Sequence, residues 1–509
     1  MTHRPRNLAG WLVLTLGGCA VGPNYHAPHT TPPPAFDAAA PANSAMAGAA
    51  PAGPGDLTQW WHALNDPELD SLVDRAVRAN PDIEIALTRL QEVRAQEAVL
   101  VGDALPEVSA SGFSGRGTGS DLTKAGVAPA LRAGDNKGNL PQIRQLAGFA
   151  SSWELDLFGG YRRAIEAGRY DIQAAAWARN AVLTSVIADV AASYVDLRGL
   201  QMRLRILQQN IEAAQQFDDF EQARFDRGLT NELDLQLAAR ELARLQSQLP
   251  LLESASKALQ YRLAVLLGRY PEELSSELAP SGDLPALPQA IRPGLPVDLL
   301  QRRPDIRQAE RQLAATTARI GIATANLFPH LSVSGALGTQ SATNTAQGSH
   351  IWAFGPSVYW PILDFGTLDA MVNVADLQAH EQLIHYRKTV IAAVQDADTA
   401  IANYAAQQER VQRLAQAISA SLRAVDLSEQ RYDRGLTDFL NLIDARRQLY
   451  GLEDEYTVAQ QGAAESFVLL YKALGGGWEA FQDIPPIRHA LPVIIADPAR
   501  LLTHTDPQR

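Results

Sequence analysis

The alternation of apolar and polar residues marks short stretches of this chain as β-strands. Residues 153–157 place Trp and Leu at every second position with Glu and Asp between them, and residues 331–334 alternate Leu and Val with Ser. A two-residue period gives a strand two unlike faces. We expect two such hairpins, with strands of about ten residues that suit a membrane β-barrel, where lipid and lumen alternate along the strand. A soluble hairpin is the alternative.

Four strands cannot close a barrel by themselves, because the smallest membrane barrels have about eight strands and lipid tolerates no open edge. The membrane interpretation therefore requires oligomerisation. Aromatic residues beside the second hairpin fit a girdle at the membrane surface, namely Trp352, Tyr359 and Trp360.

Two proline-free stretches rich in Ala, Leu, Gln, Glu and Arg, 160–228 and 366–435, predict one continuous helix each. At 1.5 Å per residue each helix would be about 100 Å long, far more than a globular domain or a bilayer requires. Helices about half as long are expected in pairs that match each long helix. They lie at 81–104 and 231–267, and again at 304–327 and 438–474.

The chain contains an internal repeat. The tetrapeptide NPDI that begins at Asn80 recurs as RPDI at Arg303, and RFDRGLT ending at Thr230 recurs as RYDRGLT ending at Thr437. The offset falls from 223 to 207 positions, so the first copy holds 16 extra residues within 112–153, where Gly and Ser predict a loop. The sequence therefore predicts a mainly α-helical chain with a membrane β part, built as a tandem repeat.

The N-terminus has the pattern of a bacterial lipoprotein signal. Basic residues precede a short apolar run at 8–16, which leads through Leu-Gly-Gly to Cys19. We expect cleavage after residue 18 and lipid attachment to Cys19, and Ala20 resembles the neighbour found in lipoproteins sorted to the outer membrane. Several acyl chains would tether the protein firmly without spanning the bilayer. An ordinary signal peptide with an incidental cysteine is the alternative, and it also exports the chain.

Charge and cysteine content exclude several classes of function. A net charge of -12 with scattered Lys and Arg leaves no basic patch for nucleic acid. A single cysteine allows no disulfide within the chain and no metal site built on paired thiolates. His380, Glu381 and His385 miss the zincin spacing by one residue, and no phosphate-binding glycine motif is present. We expect no enzyme activity, and no cofactor besides the lipid on Cys19.

A membrane-spanning helix is not expected beyond the signal. No run of about 18 uninterrupted apolar residues occurs there. Even the apolar stretch 181–195 carries Asp189.

Four motifs resemble the TolC/OprM/NodT family of outer-membrane factors. They are CAVGPNY from Cys19, RRPDI from Arg302 with Ala-Glu at 309–310, the two DRGLT turns, and YKALGGGW ending at Trp478. The resemblance runs from Cys19 to about Trp478. It implies a homotrimer in contact with outer-membrane lipid, whose twelve strands form a β-barrel and whose twelve helices form a periplasmic α-barrel.

The repeat and the resemblance together divide the chain into six parts. They are a signal peptide at 1–18, a lipid-anchored Pro/Ala-rich tether at 19–59, a first repeat at 60–279, a Pro-rich equatorial connector at 280–302, a second repeat at 303–478 and a tail at 479–509.

The resemblance implies that the helix tips bind the coiled-coil hairpin of a periplasmic adaptor. The tip residues are Arg227, Gly228 and Leu229 in the first copy and Arg434, Gly435 and Leu436 in the second. Glycine suits the left-handed conformation of a helix stop, and Thr230 and Thr437 are expected to cap the next helices. Some relatives have an apolar residue in place of each arginine. A turn without a binding role is the alternative.

The family's constriction carboxylates lie six and nine residues after the second turn glycine. Asp444 keeps the ninth position, whereas Asn441 occupies the sixth. Asp234 and Tyr432 match family residues that tie the closed helices together, while Thr437 replaces a family arginine. Three symmetry-related Asp444 side chains would repel anions and attract cations. An ordinary solvated helix face is the alternative for both aspartates.

The expected function is that of the outer-membrane exit channel of a tripartite efflux pump. It would passively conduct small toxic or amphiphilic molecules delivered by a periplasmic adaptor and an inner-membrane pump, of RND type by this resemblance. A duct that exports a polypeptide or glycan is the nearest alternative. A non-conducting periplasmic scaffold or adhesin is another, but it would lack amphipathic strands.

Overall fold

Long helices make up most of the chain, and a small β-sheet interrupts them. The computed structural model describes residues 20–39, 57–117, 142–288, 294–342 and 349–482. In chain order the elements are α1 (Pro67–Ala79), α2 (Pro81–Asp103), β1 (Glu107–Gly117), β2 (Gln142–Leu155), α3 (Gly160–Asp226), α4 (Glu232–Gln246), α5 (Leu249–Leu266), α6 (Glu272–Leu278), α7 (Pro296–Arg302), α8 (Pro304–Ala325), β3 (His330–Ala342), β4 (Ser349–Tyr359), α9 (Thr367–Asp433) and α10 (Phe439–Ala473).

The two long helices are confirmed. Both α3 and α9 have 67 residues, which corresponds to about 100 Å at 1.5 Å per residue. Each is preceded by a glycine in the left-handed region, Gly159 with a φ of 84° and Gly366 with a φ of 83°. The carboxylates of Asp156 and Asp364 accept hydrogen bonds from backbone N–H groups in or beside the first turn. These local features explain why both helices begin directly after a hairpin.

The four predicted strands form one antiparallel sheet in the order β1-β2-β3-β4. Within the described residues β1 pairs only with β2, and β4 pairs only with β3. Each of these two strands therefore has one edge without a hydrogen-bonded neighbour. The predicted extra loop lies within 118–141, outside the described residues.

The pairing register gives this sheet one apolar and one polar face. Partners across neighbouring strands lie on the same face. One row therefore joins Phe149, Leu337 and Trp352, whose side chains are all exposed. A row on the opposite face joins Ser152 and Ser334. The two-faced strands expected from the sequence are confirmed.

An aromatic cluster occupies the core of the helical body. Trp60 and Trp61 are each 2% exposed, although both stand in a short 3-10 turn before α1. The ring of Trp60 stacks on Tyr471 at 5.5 Å and meets Phe467 edge-on at 6.1 Å. Trp61 stacks on Phe481. The start of the first repeat is thus packed against the end of the second.

Helix α1 was not predicted. It begins with Pro67, and the Asp66 carboxylate caps it by accepting from the N–H groups of Glu68 and Leu69. The second Asp66 oxygen accepts from the Tyr194 hydroxyl of α3 at 2.7 Å. The cap therefore also fastens α1 to the long helix.

The prediction of one return helix at 231–267 is wrong. The chain forms α4 and α5 with a break at Ser247 and Gln248, because Pro250 lacks an N–H group and is favoured only in a first helical turn. The second copy has no proline there, and α10 runs unbroken for 35 residues.

Residues 20–39 of the predicted tether are extended, as expected, but they are docked on the helical body instead of hanging free. Residues 40–56 lie outside the described residues. Arg163, which is 4% exposed, donates to the carbonyls of Val21 and Gly22 and to the Asn24 side chain. Further along, the Tyr25 hydroxyl donates to Glu310 at 3.0 Å. A proline-rich composition predicts an extended backbone but not the partners that hold it.

The predicted connector at 280–302 includes helix α7, and 289–293 lie outside the described residues. Its first residues cross α3, where Arg198 donates to the Pro280 carbonyl at 2.9 Å and Arg205 pairs with Asp283 at 2.8 Å.

Among the described residues one helix, α3, is long and apolar enough to cross a membrane by length and composition. It contains an 18-residue window with a mean hydropathy of 1.2. However, 67% of this window is buried within the chain itself, which is the property of a core helix.

We predict that Arg163→Ala releases the docked segment. The change removes the hydrogen bonds that the buried guanidinium donates to two carbonyls and to the Asn24 side chain, at a cost of about 2–4 kcal/mol. Limited proteolysis of the full chain should then cut residues 20–39 faster, and the melting temperature should fall. Arg169→Ala is the control, because Arg169 is largely exposed and lies 3.6 Å from Glu97. Equal protease sensitivity of the two variants would contradict the assigned role.

Candidate functional site

Both helix tips share one backbone geometry. Gly228 and Gly435 have φ angles of 73° and 69°, and the N–H groups of the following leucines bond back to Arg224 at 2.9 Å and to the equivalent arginine at 2.8 Å. This hydrogen bond is typical of a glycine-terminated helix. Leu229 and Leu436 are each 63% exposed, and the preceding Arg227 and Arg434 are exposed as well. Each tip presents a leucine beside an arginine to the solvent.

The two threonines do not cap the next helices, so that prediction is wrong. In the first copy the cap is Asn231, whose side chain accepts from the N–H of Asp234 at 2.9 Å. Thr230 instead donates its hydroxyl to the Asp234 carboxylate at 3.0 Å. In the second copy Asp438 occupies the cap position, and Thr437 accepts from the Asn441 amide at 2.9 Å.

Asp444 and Asn441 lie on an exposed part of α10. The Asp444 carboxylate accepts from Gln448 one turn later at 2.8 Å. Within one chain these two residues therefore make only local contacts, and their side chains remain open to solvent. The constriction role expected for them stays a prediction.

Asp234 and Tyr432 are not joined by a hydrogen bond within this chain, and their expected role in tying the closed helices together stays a prediction. The Tyr432 hydroxyl donates to Glu221 at 2.8 Å and accepts from Arg224 at 2.8 Å. Burial raises the pKa of Tyr432, the bond to Glu221 raises it further, and the Asp234 charge adds a smaller contribution. Tyr432 therefore links α9 to α3, whereas Asp234 pairs within its own turn.

Glu221 is the functional candidate that the sequence did not reveal. Its side chain is 0% exposed, its Oε1 accepts from Tyr432, and its Oε2 has no hydrogen-bond partner among the described residues. Arg224 lies 3.7 Å from the carboxylate and 5.1 Å from the Tyr432 ring centre. A comparison of the two copies could have revealed this residue. At the 207-residue offset Glu221 aligns with Ser428, and Tyr432 aligns with Phe225, so the carboxylate and the hydroxyl each occur in only one copy.

A small apolar cluster surrounds this polar link. The rings of Phe217 in α3 and Phe439 in α10 are stacked 5.2 Å apart with an interplanar angle of 7°. Arg446 covers the Phe217 ring at 4.8 Å and pairs with Glu429 of α9 at 2.6 Å. Three helices from both repeats are thus joined near the tips.

Cys19 lies outside the described residues, but the next part of the chain is placed. The N–H of Val21 donates to the Phe158 carbonyl at 3.0 Å, at the junction between β2 and α3. Among the described residues no group of three or more His, Cys, Asp or Glu side chains is arranged to hold a metal ion.

Comparison with known proteins identifies this architecture. A family model described as "Outer membrane efflux protein" matches residues 72–269 and 295–476. The chain belongs to this family. The first matched segment lies within the predicted first repeat, and the second begins in the predicted connector and continues through most of the second repeat. The family is one of outer-membrane channel proteins rather than known enzymes.

Relatives extend along nearly the whole chain. Nodulation protein T of Rhizobium leguminosarum bv. viciae is 30% identical over 483 residues, which cover 94% of this chain and 95% of the relative. The pyoverdine export outer membrane protein OpmQ of Pseudomonas putida is 32% identical, over 83% of this chain and 88% of its own length. The solved structure of the outer-membrane channel OprN has 35% identity and a TM-score of 0.79, and the match covers 91% of this chain and 100% of that one.

We predict that Tyr432→Phe destabilises the tips more than Asp234→Asn does. The first change leaves the buried Glu221 without its hydroxyl donor, at a cost of about 1–3 kcal/mol, whereas Asp234 loses a contact within an exposed turn. Hydrogen exchange at residues 214–240 and thermal unfolding measure the difference. Tyr404→Phe is the matched control, because its hydroxyl bonds the neutral Gln408 amide and should cost about 0.5–1.5 kcal/mol. A larger effect of Asp234→Asn would favour the pairing expected from the sequence.

Proposed function

We propose that this protein is the outer-membrane exit channel of a tripartite efflux pump, working as a homotrimer. The observation that carries the proposal is the two-faced sheet at one end of helices about 100 Å long. An apolar face toward lipid and a polar face toward the lumen are what a membrane barrel requires. The efflux family of the chain supports the same function.

Trimerisation is supported by surfaces that one chain leaves uncovered. The edges of β1 and β4 cannot stay open in lipid, so neighbouring copies must pair with them. On α9, Leu377, Ile384 and Ile391 recur every seven residues and are 58%, 53% and 70% exposed. A seven-residue apolar period is the pattern of a helix that packs against another helix. Three copies would supply twelve strands and a closed ring of helices.

The lipid on Cys19 would act at the boundary of the membrane. Val21 is held at the junction between β2 and α3, so Cys19 stands two residues from the point where the barrel meets the helices. Acyl chains attached there would enter the inner leaflet of the outer membrane. Anchoring would therefore place the sheet at bilayer depth and the helices in the periplasm.

The helix tips would contact a periplasmic adaptor, which in turn joins an inner-membrane pump of RND type. Leu229 and Leu436 each present exposed apolar surface at the far end from the sheet. Arg227 and Arg434 beside them would favour an adaptor with acidic residues at its hairpin. Asp444 from three chains would form a carboxylate ring that favours cations, with Asn441 as a neutral neighbour.

The cargo would be small toxic or amphiphilic molecules, and transport through this subunit would be passive. The relative from Pseudomonas putida is named for pyoverdine export. The inner-membrane pump would select the cargo and supply the energy.

We predict that Ile384→Glu combined with Ile391→Glu weakens the trimer. Each carboxylate would be buried against a neighbouring helix without a partner, which is costly. Native mass spectrometry of the detergent-purified protein should show monomers in place of trimers. Asn403→Glu adds one carboxylate at an exposed position of α9 outside the seven-residue row and should leave the trimer intact. Trimers of unchanged abundance in the double variant would contradict the proposed interface.

Deletion of the gene should raise the intracellular accumulation and toxicity of hydrophobic drugs, dyes, aromatic acids or detergents, and complementation should reverse it. A strain complemented with Asp444→Ala tests the constriction, because loss of the ring should alter efflux of cationic dyes more than that of anionic ones. If accumulation is unchanged while an exported polypeptide or glycan disappears, the protein is a secretion duct instead.

A further inference from the structure

Helices α3 and α10, one from each repeat, are joined by polar contacts that recur every seven residues along α3. At one position Lys472 pairs with Asp189 at 3.3 Å, and fourteen residues further along α3 Arg203 pairs with Asp454 at 2.7 Å. Midway between them, seven residues from each on α3, stands Asp196. A seven-residue period keeps these positions on one side of a helix. We call this line of contacts the inter-repeat seam.

The middle position of the seam brings two carboxylates together. The Gln461 amide nitrogen donates to Asp196 Oδ1 at 2.8 Å and also to Glu465 Oε1 at 3.3 Å. Gly199 lets Gln461 lie this close, because a Cβ at position 199 would be 2.5 Å from the Gln461 side-chain oxygen. The amide is therefore confined by packing, and it holds both acids at one point.

No basic side chain accompanies this pair among the described residues. The outer positions of the seam each contribute one cation and one anion, whereas the middle contributes Asp196 and Glu465. Arg198 of α3 forms a salt bridge with Glu68 instead. On α9, the side chain that lies beside this part of α10 is Gln407, which is neutral. Asp196 is the single charged group that shifts the pKa of Glu465 here.

Two carboxylates this close cannot both ionise without repulsion, so they favour a shared proton. Burial is the larger cause, and together with Asp196 it raises the pKa of Glu465 from its ordinary 4.5 to about 7. The folded chain thus holds a proton that the open seam would release. The contact between the two carboxylates is therefore at full strength below pH 4.5, the ordinary pKa, and is lost as the pH rises through about 7, the pKa in the folded chain.

We propose that Asp196 and Glu465 form a proton-sharing contact that fastens the two repeats together at acidic pH and loosens them at alkaline pH. One proton binds between the two carboxylates, and Gln461 holds them in place. Loss of this proton leaves two adjacent negative charges in the seam, and their repulsion separates α3 from α10. The proposal concerns contacts within one chain and does not depend on the proposed function.

The test is hydrogen exchange of the full-length purified protein at pH 5.5 and pH 8.0, corrected for the intrinsic pH dependence of exchange. Peptides that cover Asp196 and Glu465 should exchange about tenfold faster at pH 8.0 in the wild type. Glu465→Gln keeps the size and the hydrogen bonding of the side chain but cannot ionise, so it should exchange slowly at both pH values.

Two further variants separate proton sharing from simple packing. Glu465→Lys gives the middle position the opposite charges found at the outer ones, and it should remove the pH dependence while keeping the seam closed. Arg203→Gln breaks an outer contact and should speed exchange equally at both pH values. A wild-type seam insensitive to pH, or a Glu465→Gln seam with the wild-type pH dependence, would overturn the proposal.

Discussion

The packing of α3 against α8 and α10 is the contact on which the rest of the molecule depends. Trp60, Phe467 and Tyr471 meet there, so the first residues of one repeat and the last residues of the other share one core. Away from this level the described helices share only a small second apolar cluster near the tips, around Phe439. Such helices cannot bury enough surface alone, because helical stability in proteins comes mainly from tertiary packing. The central core therefore supports both the sheet and the tips.

The sequence predicted those parts of the fold that local patterns determine. The strands followed from a two-residue period, and the observed register puts Phe149, Leu337 and Trp352 on one face as that period requires. The long helices followed from the absence of proline between two turns, with Gly159 and Gly228 at the ends of α3. In each case the deciding physics acts over a few residues, so the pattern is visible in the chain itself.

Features that depend on distant partners could not be predicted in this way. Arg163 docks a segment about 140 positions away, and nothing near Arg163 indicates that its guanidinium is buried. The contacts at the helix tips were not predicted for the same reason. The family resemblance suggested Asp234 as the partner of Tyr432. The closer partner is Glu221, whose burial depends on helices from both repeats. The break after α4 is different, because a nearby residue, Pro250, indicated it. The helical pattern on both sides of Pro250 favoured one continuous helix instead.

The two repeats are similar in backbone but differ in the side chains that connect them. Glu221 in the first copy faces Tyr432 in the second, and Arg203 faces Asp454, so the polar links join unlike partners within one chain. Such links depend on pairs that an exact repeat would not contain. By contrast, the exposed row of α9 that we propose packs against other copies is apolar and consists of Leu377, Ile384 and Ile391. Apolar contacts tolerate sliding better than hydrogen-bonded pairs, which require fixed geometry. In the homotrimer that we propose, sliding is therefore expected along the apolar surfaces between chains more than along the hydrogen-bonded links within one chain.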